Sequence, residues 1–408
     1  MILHALNDYY QRRQRSPDPQ DRLPALGFEE KEIPFVIEID AYGQLINVAD
    51  TRTIVGKKKI GQRFLVPQGV KKTSKVAANL LWDTAEYVVG VDTKGKPERV
   101  VEQHAAFCIR IEGLSPVARQ DTGIQAVLAF CKNINLKQFE ALPVWPDILA
   151  VNPNMTFRLH GDVELVCQRP AVVSSAIPVA SDESKIGLCL VSGEPASIER
   201  LHPAIKGVWG AQSSGANIVS FNLDAFNSYG KLQGANAPLG KPAVFAYTTA
   251  LNHLLARDSR QRIQVGDAST VFWAEEAHDL ETALPDLFGE PPKDNPNRGA
   301  DALKALYQSI QSGKFTRGDA NTRFHVLGLA PNAARIAIRF WETATALELG
   351  RRIAGHFDDI KIARAPHEPQ HLSLFRLLRG IAVQGKADNI APNLGGEVMR
   401  AILEGLPL

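Results

Sequence analysis

Residues 323–341 read RFHVLGLAPNAARIAIRFW. Two runs rich in β-branched and aromatic residues, 323–329 and 335–341, flank a turn at Pro331 and Asn332, so the segment reads as a β-hairpin. In the second run Ile336, Ile338 and Phe340 share one face while Arg335 and Arg339 share the other, the alternation of a half-buried strand. From Thr343 the pattern becomes helical and stays so to the end. Upstream, segments 35–40 and 44–49 flank a Tyr42-Gly43 turn, a second hairpin signal. Strands are also expected over 157–166 and 186–192, with two short ones within 261–274. At the chain start Ile2, Leu3, Leu6, Tyr9 and Tyr10 fall on one helical face, and Pro17 closes that helix. Further helices are expected over 100–114, 122–133, 242–257 and 300–312. Residues 282–299 carry Pro285, Pro291, Pro292 and Pro296 among charges and read as a mobile loop.

Strands clustered early and helices late make this an α+β chain rather than an alternating parallel fold. The expectation is mixed, largely antiparallel sheets with helices over the first three quarters, and helix toward the C-terminus. A division follows at an α+β domain, 1–342, and a helical segment, 343–408. A length of 408 residues exceeds one typical domain.

The chain has 46 Lys and Arg against 44 Asp and Glu, a net charge of only +2, which excludes a wholly basic binder and favours local patches. Cys108, Cys131, Cys167 and Cys189 form no C-x-x-C pair and read as free thiols, which points to a reducing cytoplasm. No stretch approaches 18 apolar residues and the start carries no signal-length apolar run, so no membrane partner is expected.

Charge is segregated at residues 57–75, KKKIGQRFLVPQGVKKTSK, which hold seven Lys or Arg and no acid. Lys57, Lys58 and Lys59 on one side, and Lys71 and Lys72 on the other, flank the strand-like Phe64, Leu65 and Val66, after which Pro67, Gln68 and Gly69 turn the chain. Basic loops at both ends of a strand suit a phosphate backbone, because each neutralised phosphate releases counterions. A solvated surface hairpin is the alternative. Lys57, Lys58, Lys59, Arg63, Lys71, Lys72 and Lys75 are the candidate phosphate contacts, while Thr73, Ser74 and Asn79 can approach base edges. Asn79 can instead cap a helix beginning at Leu80, and Trp82 and Tyr87 read as core.

Residues 205–240, IKGVWGAQSSGANIVSFNLDAFNSYGKLQGANAPLG, are dense in Gly, Ser and Asn. Val208, Trp209, Ile218, Val219, Phe221, Phe226 and Tyr229 can anchor an ordered loop whose small residues let the backbone approach a ligand. Gln212, Ser213, Ser214 and Asn217, between and beside Gly210 and Gly215, fit a minor groove or a self-bonded turn. Asn222, Lys231 and Asn236 are further candidates, and Lys206 can add a phosphate contact. Arg335 and Arg339 fit either acidic neighbours or RNA.

Three catalytic patterns fail. His367-Glu-x-x-His371 matches a zinc-protease motif in letters, but Pro369 lies between the histidines and Pro366 just before them, so no continuous helix holds both. His278 and Asp279, after Glu275 and Glu276, resemble a phosphohydrolase pair without further ligands in view. GANAPLGK, 234–241, is one residue too long for a phosphate loop, and Pro242 replaces the magnesium-holding hydroxyl. No metal, cofactor or catalytic residue is expected.

The starting MILHALNDYY, then FLVPQGVKKTSKVAANLLWD, LHPAIKGVWGAQSSGANIVSFN with SYGKLQGANAP, YTTALNHLL, VFWAEEA, HVLGLAPNAARIAIRFW and the final NLGGEVMRAILEGLP together resemble the large subunit of the type I-C CRISPR Cascade surveillance complex, the CRISPR-associated Csd-type family. The resemblance covers the chain end to end. Such proteins usually continue into a further helical bundle, so the chain looks like a form without it. The resemblance implies a non-catalytic subunit that reads the protospacer-adjacent motif in double-stranded target DNA and helps open it for guide RNA pairing. Its implied partners are the guide RNA 5′ handle, the other Cascade backbone subunits, a recruited helicase–nuclease and phage anti-CRISPR inhibitors. Two other classes stay open: a metal-dependent nuclease or phosphohydrolase at Glu275, His278 and Asp279, and a purely structural scaffold.

Overall fold

The computed structural model describes all residues except 1, 57, 71, 73–75, 177–185, 291, 293, 296, 316, 364, 366–371, 387–388, 392 and 408. Two compact units emerge, one of residues 24–181 and one joining residues 1–23 to 182–408. The chain opens with α1 (Ile2–Gln14), which belongs to the second unit and buries Leu6, Tyr9 and Tyr10, as its periodicity predicts.

Unit 24–181 contains β1 (Phe28–Glu32), β2 (Phe35–Ile39), β3 (Leu45–Asp50), β4 (Thr53–Val55), β5 (Lys58–Ile60), β6 (Arg63–Pro67), β7 (Trp82–Thr84) and β8 (Asn154–Leu159). Its helices are α2 (Ala85–Val88), α3 (Pro97–Glu112), α4 (Thr122–Lys132), α5 (Leu136–Glu140), α6 (Trp145–Val151) and α7 (Pro170–Ala176). The main sheet runs β3-β2-β8-β7. Its central strand β2 pairs antiparallel with β3 and parallel with β8. Phe35, Val36, Ile37 and Ile39 are fully buried, the near-continuous apolar run of a strand covered on both faces. Phe107 of α3 and Phe130 of α4 lie against Phe157 of β8, with ring centroids 6.2 and 5.3 Å apart. The expected β2–β3 hairpin turns at Gly43, whose φ is +79° and where a Cβ would stand 2.5 Å from the Phe130 nitrogen. Only glycine fits both demands. Two small antiparallel pairs, β1–β6 and β4–β5, complete the strands of this unit.

Unit 1–23 with 182–408 adds β9 (Ile186–Leu188), β10 (Pro195–Ser197), α8 (Lys241–Leu254), β11 (Arg262–Val265), β12 (Ala268–Ala274), α9 (Leu280–Phe288), α10 (Arg298–Ser312), β13 (Arg323–Asn332), β14 (Arg335–Thr345), α11 (Ala346–Asp359), α12 (Leu374–Ile381) and α13 (Leu394–Glu404). β11 to β14 form an antiparallel meander in chain order. One sheet face, with Phe272, Phe324, Val326 and Phe340, joins Leu284, Leu287, Ile353, Met399 and Ile402 in one core. On the other, Trp273 donates from Nε1 to the Ala5 carbonyl of α1. α1 also packs on α8, with Tyr10 edge-on to Phe245 at 5.9 Å between centroids. The fold is thus mixed α+β, mostly antiparallel, with helices toward the C-terminus.

Local departures have physical causes. Gly328 pairs with Phe340 and Leu329 with Ile338, so Arg339 is an extra, bulged residue. The bulge breaks strict alternation, and Ile338 is 46% exposed although Ile336 and Phe340 are buried. Residues 342 and 343, between which the sequence sets a division, are consecutive within β14. Helix begins at Ala346 behind a capping box in which the Thr345 hydroxyl accepts from the Glu348 N–H and the Glu348 carboxylate accepts from the Thr345 N–H. The strand expected over 157–166 stops at Leu159, where Gly161 with φ +90° turns the chain. The loop expected from residue 282 is helix α9 as far as Phe288 despite Pro285, because Leu280, Leu284, Leu287 and Phe288 bury one continuous face.

Candidate nucleic-acid interface

The basic window divides into a hairpin and a loop. In the β4–β5 hairpin Ile54 pairs with Lys59 and Val55 with Lys58, and Ile54 and Val55 are exposed. Lys58 is exposed and has no ion-pair partner among the described residues. Lys59 lies 3.2 Å from Asp147, which also binds Arg52. Arg63, at the start of β6, is exposed and likewise unpaired among the described residues. Lys57 lies outside the described residues.

After β6 the chain passes through a tightly bonded neck. The Gln68 N–H donates to the Gly27 carbonyl at 2.7 Å, the Gly69 N–H to the Glu29 carboxylate at 2.9 Å, and the Trp82 indole N–H to the Pro67 carbonyl at 2.7 Å. The Val70 N–H donates to Asn79 Oδ1 at 2.9 Å. Asp83, 1% exposed, accepts from the Asn79 and Thr84 N–H groups and from the Lys72 ammonium, which sits 3.7 Å above the Tyr87 ring.

Two expectations change here. Asn79 is buried and locks the neck with its side chain. It caps no helix, because Leu81 takes a left-handed φ of +63° and the chain enters β7. Lys72 is already engaged by a buried carboxylate, so its main contact is internal. Trp82 and Tyr87 are core, as expected. Lys71, Thr73, Ser74 and Lys75, between the two arms of the neck, lie outside the described residues.

The Gly-rich segment is ordered by its amides. Asn217 donates from Nδ2 to the His202 carbonyl at 3.0 Å, and its backbone bridges to Ala334 and Ile336 beside β14. His202 is buried against the Tyr247 hydroxyl, 2.7 Å away, and burial pushes its pKa down to about 4. Asn236 donates to the Lys231 and Gln233 carbonyls and to Asn227 Oδ1, and accepts from the Ser228 N–H at 3.0 Å. Asn222 Oδ1 accepts from Arg335, whose guanidinium lies 4.4 Å over Phe226. Arg339 pairs with Asp267 at 2.6 Å. Asn217, Asn222 and Asn236, candidate nucleic-acid contacts in the sequence, thus have partners within the chain, and Arg339 takes the acidic neighbour that the sequence offered as one of two alternatives.

What remains outward is different. Gln212, Ser213 and Ser214 are exposed in a turn closed by the Gly215 N–H on the Gln212 carbonyl, 2.9 Å. Gly215 has φ +92°, and a Cβ there would meet the Ile205 carbonyl at 2.8 Å. Lys206 and Lys231 are exposed with no ion-pair partner among the described residues. Of the aromatic residues expected to anchor the segment, Trp209 is 66% exposed and Tyr229 is 96% exposed, whereas Val208 is buried. A sequence shows that an aromatic is present but not which way it faces, and no pattern in this segment marked the two.

Glu275, His278 and Asp279 each have a local partner. His278 Nδ1 accepts from the Leu280 N–H at 3.1 Å and its ring packs on Phe315. Asp279 accepts from the Arg317 N–H at 2.9 Å, and Glu275 faces Arg323 and His325. Among the described residues no group of three His, Cys, Asp or Glu is arranged to hold a metal. His367 and His371 lie outside the described residues. No helix among the described residues is long and apolar enough to cross a membrane.

The family model described as CRISPR-associated protein (Cas_Csd1) matches residues 6–408. No curated protein matches the chain.

Proposed function

The chain belongs to the CRISPR-associated Csd1 family as a Cascade-type subunit, and on that premise we propose that it binds nucleic acid without catalysing a reaction. In this reading it engages duplex DNA at the protospacer-adjacent motif and helps open it for the guide RNA. It contacts the guide 5′ handle and its neighbouring Cascade subunits, and the opened target then recruits the helicase–nuclease in the cytoplasm.

The observation that carries the reading is the bonded neck at 67–84. Buried Asn79 and Asp83 bond the residues flanking a stretch whose sequence offers Lys71 and Lys75 with Thr73 and Ser74, beside the internally engaged Lys72. Flanks that are already bonded lower the entropic cost of engaging a ligand between them. Exposed Lys58, Arg63, Lys206 and Lys231 supply further positive charge, and the exposed Ser213 and Ser214 present hydroxyls from a glycine-shaped turn. Hydroxyls on a narrow loop suit the minor groove, where A·T and G·C pairs differ mainly by one donor.

The test is binding of the assembled complex to duplexes with matched and altered motifs. Substituting Ser213 and Ser214 together by Ala is expected to reduce discrimination by about 1–3 kcal/mol per lost base contact while general affinity holds. Undiminished discrimination assigns the turn a structural role. Metal-dependent cleavage by the purified chain that vanishes in His278→Ala would overturn the non-catalytic reading.

A further inference from the structure

The turn at Tyr229 is costly for folding and is built nonetheless. The Lys231 N–H donates to the Ser228 carbonyl at 2.9 Å, closing a four-residue turn. Its two central residues both have positive φ, +52° at Tyr229 and +66° at Gly230. That is the signature of a type I′ turn, which favours Asn or Gly at both positions. A bulky residue with positive φ is an outlier, because its Cβ crowds the backbone. Tyr229 is 96% exposed, so no core packing offsets the strain. Four hydrogen bonds of the Asn236 side chain hold the turn in place from behind. Strain that the surroundings enforce and folding does not use points to a ligand.

The neighbours indicate its chemistry. Between Asn227 and Asn236 there is no carboxylate, and the exposed Lys231 stands two residues from the ring. An exposed aromatic ring two residues from a lysine with no ion-pair partner among the described residues matches a nucleotide: the ring stacks on the base and the cation meets the phosphate. We propose that Tyr229 is a base-stacking residue that takes an unpaired nucleobase of the opened duplex, with Lys231 on the adjoining phosphate. This rests on the nucleic-acid reading above and assigns it a residue that sequence alone placed in the loop's interior.

The experiment uses the complex assembled with guide RNA and a target duplex carrying a short unpaired bubble, with 5-iodouracil placed at successive bubble positions. Irradiation is expected to cross-link Tyr229 at one or two positions. Tyr229→Ala should weaken bubble binding about ten-fold, whereas Tyr229→Phe should retain both affinity and the cross-link. Tyr229→Asn should lose the affinity yet melt no lower than the parent, because Asn accepts the turn's φ. If the parent binds target, Tyr229→Ala binds equally well and no cross-link maps to residue 229, the stacking assignment is overturned and the nucleic-acid reading survives. If the parent complex binds no target, both fall. If Tyr229→Ala leaves target binding intact but releases a neighbouring subunit, the ring is a protein contact and the assignment is again wrong.

Discussion

The neck at 67–84 and the segment at 205–240 solve the same problem with different chemistry. Both use side-chain hydrogen bonds to hold chain that lies largely outside the long strands and helices. The neck does so around a buried charge: Asp83 gathers two backbone N–H groups and the Lys72 ammonium. The segment at 205–240 uses neutral amides, Asn217 and Asn236, each substituting for backbone partners. An Asn side chain offers two donors and a carbonyl, so it closes a loop much as a peptide group would. The comparison separates fasteners, which are polar and satisfied inside the chain, from outward groups such as Lys58, Arg63, Lys206 and Lys231, which have no ion-pair partner among the described residues.

The largest effect is expected at the charged fastener. Asp83→Ala strands two N–H groups in the interior and should cost about 3 kcal/mol, read by denaturant unfolding. A loss under 1 kcal/mol would mean that water reaches the neck and that charge is not its organising element. At the neutral fastener, Asn236→Ala should cost less, about 1–2 kcal/mol, with early hydrogen exchange at Ser228 and Lys231. Equal costs at the two sites would erase the contrast between them.

A pH-dependent effect with a fixed sign comes from His202, beside the Asn217 anchor. Burial lowers its folded pKa to about 4 from an ordinary value near 6.5. The unfolded chain therefore takes up the proton first, and stability falls as pH drops from about 6.5 toward 4. His202→Gln should flatten this acid loss by about 2 kcal/mol at pH 5. An unchanged pH profile would place the acid sensitivity elsewhere.

Much of the scaffold was legible because its signals are periodic. The β13–β14 hairpin, the β2–β3 hairpin, α1, α3, α4 and α10 all follow spacing that one face of a core imposes. Deviations arose where a single residue overrides the pattern: the bulged Arg339 that exposes Ile338, Gly161 that ends β8, and buried leucines that carry α9 through Pro285. The candidate interface was less legible. Asn79, Asn217 and Asn236 have the same hydrogen-bonding groups whether they fasten a loop or read a base, so composition leaves the two roles open. Trp209 and Tyr229 carry rings that the sequence reads as anchors of the loop, and only tertiary placement shows them facing out.

The central claim is that outward basic groups, not the satisfied ones, meet nucleic acid. It is tested most directly by the salt dependence of duplex binding, comparing the parent with Lys58→Ala/Arg63→Ala in the assembled complex. Both side chains are exposed and unpaired among the described residues, so folding stability should not change. The account predicts that the slope of log affinity against log salt falls by about two, one per lost phosphate contact, for matched and altered motifs alike. An unchanged slope and affinity would contradict it, leaving the basic hairpin a solvated surface.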